Sequence, residues 1–150
     1  MFAAASLITS DMFAKTISLT TSSIFTLGQN LLYSNTNYDI SSLEKIEKQI
    51  DLLETVKIYD IWIQEIIEKQ KDKINSSNAL KEAINSFMVM LNEIHDLLKS
   101  IENKIQLHGL KWFSSYRSLY VNEEVEQIKI KKNILDHRFN LLQQIYNFTS

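Results

Sequence analysis

The chain has 150 residues, 45% of them hydrophobic and 23% charged, which is enough for one domain with a buried core and too little for two. It contains no proline and only two glycines, which argues against all-β and doubly wound α/β folds, because these need turns that glycine and proline supply. The formal net charge of -2 argues against a nucleic-acid partner, since such proteins carry a strongly basic face. The absence of cysteine excludes disulfides, thiolate catalysis and cysteine-ligated zinc.

Residues 1–34 differ from the rest of the sequence, because Asp11 and Lys15 are their only charged residues. Apolar residues at alternating steps of four and three predict an amphipathic helix. A second row, at every fourth position, consists of small side chains that allow another helix to approach closely. The interaction residues predicted from the two rows are Phe13, Ile17, Ile24 and Leu27, and Ser6, Ser10, Ala14, Ser18 and Ser22.

Two arrangements of this N-terminal segment fit the pattern. Either it packs as one more helix on the rest of the protein, or residues 1–32 serve as a docking or membrane-contacting helix. No signal peptide is predicted, because Asp11 and Lys15 interrupt the apolar core that such a peptide needs. Polar residues also dilute the segment too far for a strong transmembrane span, which takes about 20 predominantly apolar residues. We therefore divide the chain into a docking segment, residues 1–34, and a helical bundle, residues 39–150.

The bundle region predicts three long helices, at about residues 42–75, 78–108 and 111–148. The first follows a capping box formed by Ser41 and Glu44. The second has the clearest signal, because its apolar residues from Leu80 to Ile105 alternate steps of four and three without a break. Helices joined by short turns bury their apolar stripes by folding back on one another. The predicted fold is therefore all-α, an elongated antiparallel helical bundle with the N-terminal helix added to it.

The third predicted helix starts with an aromatic group, and it is either one helix or a short aromatic helix followed by a long one. Three aromatic side chains lie at steps of four on one face, and Arg117 lies beside them. They either plug the end of the bundle or form a contact patch, since tryptophan, tyrosine and arginine dominate the energetics of protein interfaces. The interaction residues predicted here are Trp112, Tyr116 and Tyr120.

Motifs for catalysis and metal binding are missing from the sequence. Its three histidines, His95, His108 and His137, form no HxxxH or HExxH pair. Two isolated glycines do not make a phosphate-binding loop, and no serine lies in a G-x-S-x-G turn. We therefore predict no catalytic residue, no metal site and no cofactor, and expect that the protein is not an enzyme.

These observations predict a structural or scaffold protein that acts through helix-mediated contacts with other chains. The partners are copies of itself or subunits of a larger assembly, for example a capsid or a multi-subunit complex. The alternative is a membrane-associated helical bundle of the tether or pore-former type, whose residues 1–32 contact lipid. The expected location is intracellular or within a viral particle, because the sequence has no convincing signal peptide.

Overall fold

The computed structural model describes residues 9–33, 47–48, 51–109 and 121–149, and these ranges contain helices and no strand. The prediction of an all-α fold is therefore confirmed. In chain order the helices are α1 (Ser10–Tyr33), α2 (Leu52–Lys69), α3 (Lys71–Ser76), α4 (Asn78–Gly109) and α5 (Asn122–Phe148).

The single helix predicted over residues 42–75 is wrong, because two breaks divide this part of the chain. Asp51 has a left-handed backbone with φ 49°, and α2 begins only after it. Gln70 has φ -133° and separates α2 from α3. Aspartate tolerates the left-handed conformation better than most residues, and neither break contains glycine or proline. The apolar period continues through both breaks, so periodicity alone overestimates the length of the helix.

The other two long helices agree better with the prediction. Helix α4 covers the range predicted at 78–108, and the Ser77 hydroxyl caps its start by accepting a 3.1 Å hydrogen bond from the Leu80 backbone N–H. Helix α5 begins at Asn122 and continues to Phe148. Residues 111–120 lie outside the described residues. The two alternatives for residues 111–148, one helix or two, therefore stay predictions.

The N-terminal helix is part of the bundle. Helix α1 packs against both α2 and α4, and α4 packs against α5. Thr20 contacts Asn92 and Ser23 contacts His95, so α1 and α4 run parallel. Arg138 contacts the Ser86 carbonyl at the other side of α4, where α5 runs antiparallel. The described residues therefore form four long helices, in which α1 runs parallel to α4 and α2 runs parallel to α5. The predicted arrangement of three long antiparallel helices with an added N-terminal helix is not confirmed.

One cluster of buried apolar side chains extends through all five helices. The short helix α3 contributes Ile74, which is fully buried although its helix has only six residues. The largest side chains with almost no exposure are Phe13, Phe87, Ile17, Ile24, Ile63, Ile74, Leu80, Ile84, Leu91, Ile94, Leu98 and Ile101. The even periodicity of α4 thus corresponds to the central row of the core.

Candidate interaction surfaces

The apolar row predicted on α1 faces the interior of this chain's own bundle. Phe13, Ile17 and Ile24 are fully buried, and Leu27 is 7% exposed. All four belong to the common core. In this arrangement they stabilise the fold, and a role of this row in contacts with another chain stays a prediction.

The row of small residues on α1 turns from the interior towards solvent along the helix. Ser10 is buried, and its backbone N–H donates a 2.9 Å hydrogen bond to Asn75 Oδ1, which satisfies one of the free donors at the start of α1. The carbonyl of half-buried Ala14 accepts a 2.8 Å hydrogen bond from Gln64 Nε2. Further along, Ser18 is half-buried and Ser22 is exposed. Ser6 lies outside the described residues, as do Trp112, Tyr116 and Tyr120 of the predicted aromatic patch.

Helix α1 approaches α2 closely at Gly28, beyond the C-terminal end of the small-residue row. A Cβ atom on Gly28 would lie 2.5 Å from Leu53 Cδ2 and 3.0 Å from Leu53 Cδ1. Because real side chains do not approach so closely, the missing side chain of Gly28 provides the space for Leu53. Helix α1 nevertheless continues past this glycine to Tyr33.

Two polar contacts join α1 to α4 one helical turn apart. The Thr20 hydroxyl donates a 2.9 Å hydrogen bond to Asn92 Oδ1. Ser23 Oγ lies 2.7 Å from His95 Nε2, and His95 Nδ1 lies 3.5 Å from Asp96 Oδ1. The sequence analysis missed these contacts, because each pair is separated by 72 positions in the chain.

The order serine, histidine, aspartate is also that of a nucleophilic triad, in which histidine takes the serine proton and aspartate orients the histidine. Such a triad also needs hydrogen-bond donors for the developing oxyanion. Ser23 lies in the middle of α1, where each backbone N–H is already bonded to the carbonyl four residues earlier. The arrangement of Ser23, His95 and Asp96 therefore fits a contact between two helices better than catalysis.

A partly buried polar cluster connects α2 to α5. The Tyr59 hydroxyl donates a 2.5 Å hydrogen bond to Asp136 Oδ1, and Lys132 Nζ lies 2.9 Å from Asp136 Oδ2. Lys132 is only 5% exposed, so its charge is paired within the protein. Burial raises the pKa of the Tyr59 hydroxyl well above its ordinary value, and the hydrogen bond to Asp136 raises it further.

Aromatic rings surround this polar cluster and close the bundle between α2 and α5. The rings of Tyr59 and Phe139 are stacked with centroids 3.9 Å apart, and Trp62 meets Phe139 edge-on at 5.2 Å. At the end of the bundle, Lys73 Nζ lies 4.1 Å from the centroid of the Tyr146 ring. These contacts fix the register of α2 against α5.

Charged side chains bridge α4 and α5 along their common edge. Lys104 pairs with the mostly buried carboxylate of Glu124, and Lys131 Nζ lies 3.2 Å from Glu93 Oε1. Arg138 Nη1 donates a 2.7 Å hydrogen bond to the Ser86 carbonyl. The cations on this side of α5 are therefore engaged by α4.

Outside these bridges, α5 has a second apolar row, in which two half-buried residues pack against the edge of the core and three others are exposed. Ile130 is 49% exposed, Leu141 50% and Phe148 94%, while Ile134 and Ile145 are half-buried. We call these five residues the α5 apolar stripe. The stripe was not predicted, because only the buried row of apolar residues in this helix was considered. The sequence does contain a signal for it, the second apolar row at positions 130, 134, 141, 145 and 148.

The stripe ends in a groove at the C-terminal end of α5. The groove has a volume of about 300 Å³, and its lining is mostly apolar. Its walls are formed by Ala79, Leu141, Gln144, Ile145, Phe148 and Thr149. No group of three or more histidine, aspartate and glutamate side chains in the described ranges is arranged to hold a metal ion. Among the described helices, none is both long and apolar enough to cross a bilayer.

Comparisons with known proteins give one similarity to a viral protein. No family model matches the chain, and no solved structure matches it. An uncharacterized protein of Acanthamoeba polyphaga mimivirus is 29% identical over 124 residues, which are 80% of this chain and 54% of the mimivirus protein. The chain thus spans about half the length of this relative. The name of this relative states no activity.

Proposed function

We propose that this protein is a non-catalytic helical scaffold that contacts other protein chains as a component of a larger assembly, for example a virus particle or a multi-subunit complex. The observation that carries the proposal is the α5 apolar stripe. Most exposed apolar side chains on a monomer are scattered singly, and several that share one helix face mark a contact site. Three exposed and two half-buried apolar side chains follow one line along α5.

The polar clusters support the same proposal. Tyr59, Asp136 and Lys132 engage one another between two helices, and Ser23 with His95 does the same between another pair. Each cluster holds helices in register and leaves no arrangement suited to a reacting substrate. The similarity to a mimivirus protein supports the viral part of the proposal.

The native size of the assembly tests this function. We expect the protein, detected by antibody in a gently lysed extract of its native source, to elute from a sizing column in a species much larger than a dimer. Elution only as a free monomer or dimer would contradict the scaffold role. A substrate-dependent product formed by the purified protein would contradict the non-catalytic part.

The alternative is a membrane-associated bundle whose residues 1–32 contact lipid, and liposome flotation separates the two. We expect the purified full chain to stay in the soluble fraction with neutral and anionic liposomes. Binding to liposomes would favour the alternative. Point variants suit this test better than deletion of α1, because deletion would expose the core partners of Phe13 and Ile17.

A further inference from the structure

The exposed apolar residues of the described ranges are distributed unevenly. Helices α1, α2 and α4 each carry two large apolar side chains exposed to solvent, and on α2 Ile58 and Ile61 form a short group with half-buried Trp62. Helix α5 carries three that align with two half-buried neighbours over residues 130–148, about 27 Å of helix. The α5 apolar stripe is therefore the surface of the described chain best suited to receive another helix.

The spacing of the stripe is symmetric along the helix. Ile134 and Leu141 lie at equal distances on either side of the peptide bond between His137 and Arg138, and Ile130 and Ile145 do so as well. A two-fold axis through this point generates a second, antiparallel copy of the helix, and each of these apolar positions then faces an apolar position of that copy. This self-complementarity is what an isologous contact between identical chains requires.

We propose that the α5 apolar stripe is the interface between two copies of this chain, with antiparallel α5 helices and the two-fold axis next to His137. In this dimer Ile134 of each copy lies against Leu141 of the other. Ile130 of each copy lies near Ile145 and Phe148 of the other. The inference names the partner for the scaffold role proposed above and rests on that role.

The charges beside the stripe permit this approach. Lys131 is paired with Glu93 at 3.2 Å, and Arg138 is bonded to the Ser86 carbonyl at 2.7 Å, both within one chain. The two copies therefore meet with these cations already engaged, which avoids the cost of bringing unpaired like charges together. Val89, 44% exposed on α4, lies at the same edge and extends the apolar contact.

The expected interface is small, and we expect the two copies to associate weakly. Two stripes of this length bury roughly 1,000 Å² in total, which is below the range of about 1,200–2,000 Å² for stable interfaces and is typical of weak ones. The dimer should therefore dissociate at roughly micromolar concentration. Such an interface suits a subunit that is held further by other contacts in an assembly.

Sedimentation velocity on the purified full chain tests the interface. We expect the sedimentation coefficient to rise from that of a monomer to that of a dimer as the concentration is raised through the micromolar range. Leu141→Lys should weaken the association at least about tenfold, because it buries a charge in the apolar seam. The matched control is Leu19→Lys, which changes an exposed leucine on α1 and should leave the association unchanged. Circular dichroism of both variants should show unchanged helicity.

A disulfide tests the register independently, since the chain has no cysteine of its own. His137→Cys places one thiol beside the proposed axis, and two cysteines bridge only when their Cα atoms approach within about 7 Å. We expect this variant to form a disulfide-linked dimer on mild oxidation. The control Ile58→Cys, on the exposed face of α2, should form no disulfide-linked dimer.

The outcomes separate this inference from the scaffold role. A chain that is monomeric at all concentrations, or one whose association is equally lost in Leu19→Lys, overturns the α5 dimer. If the protein still elutes in a large native assembly, the scaffold role stands without it. A dimer that depends on Leu141 in a protein that never enters a larger species supports the interface and contradicts the scaffold role.

Discussion

Tyr59 and Asp136 are separated by 77 positions in the chain, and the hydroxyl of the first donates a hydrogen bond to the carboxylate of the second. Asp136 also accepts from Lys132, so one carboxylate joins a tyrosine of α2 to a lysine of α5. This contact places a polar group inside the aromatic layer between the two helices. The contribution of this hydrogen bond to the stability of the fold can be measured through the protonation of Tyr59.

Tyr59→Phe should lower the free energy of unfolding at neutral pH by about 1 kcal/mol, because it removes one hydrogen bond and leaves Asp136 with Lys132. The raised pKa of Tyr59 also predicts a dependence on alkaline pH. Above the ordinary tyrosine pKa of about 10, the unfolded chain releases the proton that the folded chain keeps, so the wild type loses stability as pH rises. Urea denaturation at several pH values should show the difference between wild type and variant shrinking above pH ~10. A difference that grows there would show that Tyr59 ionises more easily in the folded state.

Asp60 gives a second prediction in the acid range. Burial raises the pKa of its carboxyl, and the 3.0 Å hydrogen bond from Gln64 Nε2 lowers it in part. The charged form therefore costs stability, and this cost appears as pH rises through the folded pKa. Asp60→Asn keeps an acceptor for Gln64 and should stabilise the protein at pH 7 by at most about 0.5 kcal/mol, since the group is partly solvated. The gain should vanish below the ordinary aspartate pKa of about 3.9. A variant less stable than wild type at neutral pH would contradict the sign.

Helix α1 can be tested as a part of the core by two nearby substitutions. Ile17 is fully buried, whereas Leu19, two residues further on, is 62% exposed. Ile17→Ala should lower the free energy of unfolding by about 2–5 kcal/mol, and Leu19→Ala should change it by less than about 0.5 kcal/mol. Chemical denaturation followed by circular dichroism measures both. Equal small effects would show that α1 is not packed in the bundle.

The close approach at Gly28 predicts a coupling with Leu53. Gly28→Val should destabilise the protein by about 1–3 kcal/mol, because the new side chain overlaps the Leu53 methyl groups. Leu53→Ala alone should also destabilise it, because it leaves a cavity. In the double variant the valine fills part of that cavity, so the loss should be smaller than the sum of the single losses by about 1 kcal/mol or more. Additive losses would show that the two helices do not meet there.

The sequence predicts those parts of the fold that depend on local pattern. The period of α4 locates Leu91 and Leu98 in the core, as the structure confirms. The breaks at Asp51 and Gln70 could not be predicted, because no helix-breaking residue marks them and the apolar period continues. They depend on tertiary packing, which overrides local preference.

The polar contacts between helices could not be predicted from the sequence for a different reason. Ser23 and His95 have no spacing relationship along the chain, and only the alignment of α1 with α4 brings them together. The α5 apolar stripe was accessible, because Ile134 and Leu141 recur at a heptad interval. It was missed because a helix with two apolar rows does not fit the assumption of one buried face.

The parallel pairing of α1 with α4 has a consequence for how the chain folds. Contacts such as that of Thr20 with Asn92 close only after 72 further residues have been added, so α1 cannot complete its packing while the ribosome is still making the first half. During that interval Phe13 and Ile17, which are fully buried in the folded protein, lack part of the core that encloses them. Contacts between such distant parts of the chain slow folding, because a long loop must close before they form.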